Sequence, residues 1–250
     1  TDRFDLDCDD QVVEIASNDG CLLKYFQEKG IPVLGIEPAK NIAQVAEAAG
    51  IPTLPEFFNS QVALELTAKG KQADLILGNN VLAHVPGLND FVSGLKILLK
   101  PDGVITMEFP SLLHLMEENQ FDTIYHEHFS YFSCLTAEKV FARHGLCLFD
   151  VEELETHGGS LRIYVRHEED SEKSVSKRVS LLKHQEEKLN KLGAYEHFSG
   201  QVKETKHRLV EFLTEIKQSG KSISGYGAPA KGNTLLNYCG IGSDFINYTV

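Results

Sequence analysis

The alternation of short apolar strands with amphipathic helices between Gln11 and Pro110 restricts this chain's fold more than any other feature of it. The β-branched run "QVVEIA" (11–16) stops at the turn cluster "SNDG", and "LLKYFQEKG" (22–30) follows with helical spacing and a terminal glycine. "PVLGIEP" (32–38) and "NIAQVAEAAG" (41–50) repeat the pair. Two more strands, "ADLILGNN" (73–80) and "GVITMEFP" (103–110), flank a helix over 88–100. Such alternation predicts an α/β fold, a Rossmann-like parallel sheet with helices on both faces. After a helix over 136–144, "GLCLFDVEEL" and "SLRIYVRH" are separated only by "THGG", which predicts an antiparallel hairpin at the end of the sheet.

From about Ser171 to Ser219 composition shifts to Lys, Glu, Gln and Leu with long helical periodicity, predicting two helices interrupted near "GAYEHFSG" (193–200). "KSISGYGAPAKGNTLLNYCGI" (221–241) then supplies a strand, a Gly-rich turn and a helix, and "DFINYTV" (244–250) reads as another strand. The expected organisation is a sheet domain over 1–170, then a helical linker and an incomplete second α/β domain over 171–250, within a longer polypeptide. With 36 acidic against 24 basic residues and a net charge of -12, a nucleic-acid partner or an anionic membrane surface is disfavoured. No apolar run approaches the ~20 residues of a membrane span. Five scattered cysteines without a CxxC pair argue against a disulfide framework or zinc knuckle and for a reducing cytoplasm.

"EIASNDG" (14–20) joins the first strand to the first helix and presents backbone N–H groups and small residues to a ligand. Ala16 and Asn18 occupy glycine-type positions of the dinucleotide fingerprint GxGxxG, so Ala16, Ser17, Asn18, Asp19 and Gly20 suit a nicotinamide dinucleotide poorly. A carboxylate inside a central strand, Glu14, has no structural motive and would meet a cationic amino group. Glu37, followed by Pro38 at the end of the second strand, stands where a carboxylate takes ribose hydroxyls. The plain alternative has Asp19 capping the first helix and Glu37 in solvent. Phe57 and Phe58 would flank an adenine ring or belong to the core. In "HGGSLR" (157–162), Gly158 and Gly159 would lie next to a ligand, with Arg162 as a diphosphate or carbonyl partner, or the stretch is a tight β-turn. "GYGAPAKG" (225–232) offers Gly227 and Lys231 as an anion cradle at a helix start.

Acidic ends on the first two strands and a turn with few glycines resemble the S-adenosylmethionine site of class I methyltransferases. That resemblance sets Asn79, Asn80 and His84 along the methionine part of the cofactor. The stretches "VVEIASNDGCLL", "GIEPAKN", "ADLILGNNVLAHVPGLNDFV", "LLKPDGVITMEFP", "FDTIYHEHFSYFS", "HGGSLR" and "GYGAPAKGNTLLNY" occur in that order. Together they resemble the sugar C-methyltransferase family, which methylates a carbon of nucleotide-linked keto-deoxysugars. The resemblance implies a class I methyltransferase sheet, S-adenosylmethionine as cofactor and a nucleotide-linked 4-keto-deoxysugar as substrate. Family members carry an N-terminal zinc-binding domain with paired cysteines, which these residues lack, so no metal is expected.

"IYHEHFSYF" (124–132) admits three readings. As a metal site it offers an HxH pair, but Ser130 stands where HExxH needs its second histidine. It also reads as a polar turn on which Phe129 and Phe132 pack. The third reading is proton transfer: methylating a carbon beside a ketone needs a base, and a neutral imidazole suits that task. The family resemblance assigns proton abstraction to His128 with Glu127, and the sugar site to Tyr125 and His126. An O- or N-methyltransferase acting on another small molecule, or a non-catalytic cofactor-binding scaffold, is the alternative.

Overall fold

The computed structural model describes residues 3–227 and 229–250. Strands β1 (Val12–Ile15), β2 (Val33–Ile36), β3 (Thr53–Leu54), β4 (Ala73–Asn79) and β5 (Leu99–Pro110) run parallel. Helices α1 (Leu23–Gln27), α2 (Lys40–Ala48), α3 (Ser60–Ala68) and α4 (Leu88–Leu98) connect them. After α5 (Leu112–Glu117) and α6 (Cys134–Ala142), the hairpin of β6 (Leu146–Leu154) and β7 (Ser160–His167) completes the sheet. Its order is β3-β2-β1-β4-β5-β7-β6, with β7 antiparallel to both neighbours. The expected α/β sheet with a terminal antiparallel hairpin is what forms. Sequence reading passed over β3, whose two residues carry no period, and α3, which starts where the Asn59 side chain accepts the Val62 N–H at 2.9 Å.

Side-chain alternation along the strands builds two cores. Val13, Ile15, Ile76, Ile105 and Met107 cluster with residues of α3, α4 and α6, whereas Val12, Leu75, Val104 and Tyr164 cluster with Leu23 of α1 and Ala46 of α2. Because β1 pairs with β2 on one side and β4 on the other, the chain reverses its winding there. That switch opens a crevice at the carboxyl ends of the strands.

Helix α7 (Lys177–Glu186) lies past residue 170, yet its Val179 and Leu182 belong to the larger core. Its last residue, the fully buried Glu186, accepts the backbone N–H groups of Cys134 at 2.9 Å and Leu135 at 2.8 Å, at the start of α6. Burial raises the pKa of this carboxyl. Helix α8 (Leu192–Gln218) is continuous through 193–200, so the expected interruption falls earlier, at a 3-10 turn over Glu187–Asn190. Gly193 lies in the first turn, and the ~1 kcal/mol that Gly200 costs does not break a long helix. Strand β8 (Ser224–Gly225), helix α9 (Ala230–Cys239) and strand β9 (Tyr248–Thr249) follow. They pack on α8 in a small core around Leu213, Cys239 and Ile241, and β8 and β9 pair in parallel. Of the expected last strand only Tyr248 and Thr249 pair. Helix α9 returns to the sheet domain, where the Tyr238 ring lies 5.3 Å from that of Phe121. No described helix is long and apolar enough to cross a membrane.

Glu186→Ala leaves two helix-terminal N–H groups without an acceptor, at least one of them buried. It is expected to lower the unfolding free energy by about 2–4 kcal/mol, and Glu186→Gln, which keeps one acceptor oxygen, by less. Urea denaturation reads both values, and an Ala variant as stable as the parent contradicts this role.

Candidate active site

The turn after β1 is held in left-handed backbone conformations at Ala16 (φ 58°), Asn18 (φ 50°) and Gly20 (φ 77°). For a residue with a Cβ such as Ala16, that conformation is strained and persists only where the surroundings impose it. Glu37 imposes much of it. Its buried carboxylate accepts the Asn18 N–H at 3.1 Å and the Ala39 N–H at 2.9 Å, tying the turn to the start of α2. Glu37 is therefore not a solvated surface group. Asp19 accepts the Cys21 N–H at 3.2 Å inside the turn and does not cap α1. Gly35 of β2 lets Ser17 seat: a Cβ there would come within 2.4 Å of the Ser17 hydroxyl.

Glu14 is buried on β1, and its Oε2 has no hydrogen-bond partner. Burial, and secondarily the charge of Asp19, pushes its pKa up to about 8. Above this turn lies a cavity of about 440 Å³ lined by Ala16, Pro38, Phe57, Asn80 and His84 among others. The phenylalanine pair divides its duties. Phe58 is buried edge-on against Phe91, with ring centroids 5.4 Å apart, whereas Phe57 stays 79% exposed and free to cover a ligand.

Asn80 and His84 also line a second cavity, of about 150 Å³, together with Tyr125, His128, Tyr131, His157 and Lys231. The two cavities thus share a wall. Within the second, the His128 ring lies 4.5 Å from that of Tyr125, 4.9 Å from that of His84 and 5.8 Å from that of Tyr131. His128 Nδ1 is 2.8 Å from the Thr123 carbonyl oxygen, and His84 Nδ1 is 2.9 Å from that of Glu127. A carbonyl only accepts, so both Nδ1 atoms carry the proton. Each neutral ring then keeps its lone pair on Nε2. Burial, and secondarily Glu127, raises the pKa of the Tyr125 phenol and keeps it protonated as a donor.

His126 and Glu127 are exposed and line an outer, more open cavity that continues from Tyr125 and His128 to Asn233, Asn237 and Tyr238 of α9. Phe132 is buried against Phe109, but Phe129 is 61% exposed, so the pair does not pack together as a simple turn would require. Among the described residues, the one group whose ligand atoms lie close enough for a metal is Asp7, Cys8 and Asp9, all exposed.

Not every expected residue joins these cavities. Asn79 and Arg162 line a different one with Phe4 and Tyr164, and Arg162 pairs at 2.7 Å with the buried Glu108. Gly158 and Gly159 act through their backbone, their carbonyls accepting from Gln120 Nε2 and the Ser111 N–H. A Cβ on Gly159 would lie 2.2 Å from His114 Nδ1, so this close approach requires glycine. The Gly227 N–H donates to the Val250 carbonyl. Sequence reasoning missed Tyr131 and His157, the residue before the glycine pair, although both stood inside motifs it singled out.

The raised pKa of Glu14 sets a stability trend. Between its ordinary carboxylate range and about 8, the folded chain holds a proton that the unfolded chain has lost. Stability from this group therefore falls as pH rises through that window. The ligand-free melting temperature should decline from pH 5 to pH 8, and Glu14→Gln should flatten the decline. An unchanged slope in the variant contradicts the assignment.

The comparisons with known proteins agree with this fold. Residues 3–150 match the model of a methyltransferase domain, and residues 155–250 that of a C-methyltransferase C-terminal domain. Over 248 residues the chain is 35% identical to C-methyltransferase NovU of Streptomyces niveus, covering 99% of this chain and 59% of that protein. It is 27% identical over 96 residues to a ubiquinone biosynthesis O-methyltransferase of Bartonella bacilliformis, covering 38% of this chain and 39% of that one. The chain thus spans less than two thirds of these curated relatives. Among solved structures, an S-adenosylmethionine-dependent methyltransferase from Anabaena variabilis superposes with a TM-score of 0.52 at 12% identity, over 66% of this chain and 80% of that one. The putative methyltransferase complex with the Trm112 activator of Haloferax volcanii gives 0.52 at 14% identity, over 66% and 86%. With more than half of its residues matched by the methyltransferase-domain model, and the sheet order to go with it, the chain belongs to the methyltransferase family, and the stretch behind that domain is similar to the C-terminal domain of C-methyltransferases.

Proposed function

We propose that this chain is the catalytic part of an S-adenosylmethionine-dependent C-methyltransferase that acts on a nucleotide-linked 4-keto-deoxysugar. The observation that carries the reading is His128, its Nε2 lone pair free, in a cavity that shares a wall with the crevice above β1. An oxygen or nitrogen nucleophile has its own lone pair, whereas a carbon becomes one only after losing a proton. The similarity to C-methyltransferase NovU supports carbon as the acceptor.

The residues of the crevice fit the cofactor. The buried, unpartnered Oε2 of Glu14 is an acceptor matched to the amino group of the methionine portion. Each Glu37 oxygen already takes one backbone N–H and keeps a lone pair for a ribose hydroxyl, and Phe57 is free to lie on the adenine. When bound, the cofactor supplies an electrophilic methyl group. On the substrate, His128 Nε2 takes the proton from the carbon beside the ketone, and Tyr125 donates to the oxygen as it gains enolate charge. The carbon would then take the methyl group that the bound cofactor supplies, leaving its demethylated form, while the proton remains on the His128 imidazole. Glu127 and His126 stand at the mouth on the outer cavity. Lys231, in the first turn of α9, supplies a cation for the diphosphate, and Asn233, Asn237 and Tyr238 line the route beyond it.

The test separates proton removal from methyl transfer. An active form given a keto-sugar nucleotide in heavy water with S-adenosylhomocysteine should exchange the proton alpha to the ketone. His128→Asn should lower both exchange and methylation by about 10²–10⁴. Its affinity for the nucleoside should hold. Methylation near the parental rate in that variant would falsify the proton-transfer reading.

A further inference from the structure

The shared wall of the two cavities contains a contact that the steps above do not use. Asn80, just after β4, and His157, between β6 and β7, both adopt left-handed backbone conformations, with φ of 53° and 55°. Two residues that carry a Cβ hold this uncommon geometry at the same place, which the surroundings must support. Their side chains meet, with Asn80 Nδ2 3.0 Å from His157 Nε2.

Both loops are pinned by the same strand residue. The Asn80 N–H donates to the Glu108 carbonyl at 2.8 Å, and the Glu108 carboxylate accepts the Thr156 hydroxyl at 2.9 Å. On the far side of His157, the Gly159 carbonyl is held by the Ser111 N–H at 3.0 Å. The backbone that carries the imidazole is therefore anchored on both sides, and the amide of Asn80 meets a fixed partner.

We propose that His157 is a positioning residue that sets which end of the Asn80 amide faces the methyl donor. An asparagine amide has a donor end and an acceptor end, and the two are nearly equal in shape. With Nδ2 donating to His157 Nε2, Oδ1 is the end left for a ligand. Asn80 lines both cavities, so its side chain stands at the boundary between them. The methyl of a sulfonium is electron-poor, and a carbonyl oxygen attracts it through a weak C–H···O contact. A turned amide would present N–H groups to the positively charged sulfonium and repel it. The inference rests on the methyl-donor part of the proposed function and on nothing about the sugar.

Binding tests it without turnover. In the chain without acceptor substrate, calorimetry gives the affinities for S-adenosylmethionine, which carries the methyl and the positive charge, and for S-adenosylhomocysteine, which lacks both. His157→Leu removes the acceptor, and its ratio of the two affinities should shift about fivefold to tenfold against S-adenosylmethionine, the usual range for one lost hydrogen bond. His157→Gln restores an acceptor oxygen and should return the ratio to within about twofold of the parent. The side-chain amide resonances of Asn80 should move in the Leu variant and lie near their parental positions in the Gln variant. A ratio unmoved in the Leu variant, or one shifted as far in the Gln variant as in the Leu variant, overturns the role of His157. Failure of the parent chain to bind either nucleoside would instead overturn the donor reading, and this inference with it.

Discussion

Two hydrogen bonds to backbone carbonyls, from His128 Nδ1 to Thr123 and from His84 Nδ1 to Glu127, are the constraint on which the site's chemistry depends. An imidazole in solution exchanges its proton between two nitrogens and points anywhere. Here the main chain chooses the tautomer, so no acidic side chain is needed to orient the ring. Those carbonyls belong to the irregular segment between α5 and α6, which is itself latched to the β4 loop by the Phe129 N–H on the Ala83 carbonyl at 2.8 Å. The base candidate and the wall of the cofactor crevice are thus positioned by one another. A change in this segment that spares every side chain of the cavity is still expected to disturb the proposed proton transfer.

The buried carboxylates divide into two kinds. Glu37 and Glu186 are satisfied by backbone N–H groups and organise the elements around them: a turn and helix start in one case, the junction of α7 with α6 in the other. Glu14 is unsatisfied at Oε2, and no fold element needs it. Burying a carboxylate without a partner is costly, and the raised pKa is how that cost appears in the ligand-free chain. Of the six left-handed residues that carry a Cβ among the described residues, Ala16, Asn80 and His157 line the two cavities and Asn18 shares the turn of Ala16, whereas Asp5 and Asn119 lie elsewhere.

Much of this was legible in the sequence, for identifiable reasons. Strands of four to twelve residues with a turn cluster after each fix a parallel sheet by periodicity alone, and Glu14 stood out because a charge in a central strand violates that periodicity. What stayed hidden is long-range. Arg162 and Gly158 share a motif, yet strand alternation sends the arginine toward Glu108 and Tyr164, while the loop before it delivers His157 to the cavity. The sequence distance between Asn80 and His157 carries no pattern. Nor does the choice of Phe57 over Phe58 as the exposed ring, which depends on the position of Phe91 on α4. Gly193 and Gly200 misled in the opposite direction, because local propensity placed a break where packing of α8 maintains a helix.

The central claim is that a methyl donor in the crevice above β1 faces a base across the wall made by Asn80 and His84. A crystal structure of the chain with S-adenosylhomocysteine tests it most directly. The account predicts the ligand's amino group on Glu14 Oε2, its ribose hydroxyls on Glu37, and its sulfur turned toward the cavity that holds His128 and Tyr125. A nucleoside bound elsewhere, or one whose sulfur points away from His128, would contradict it.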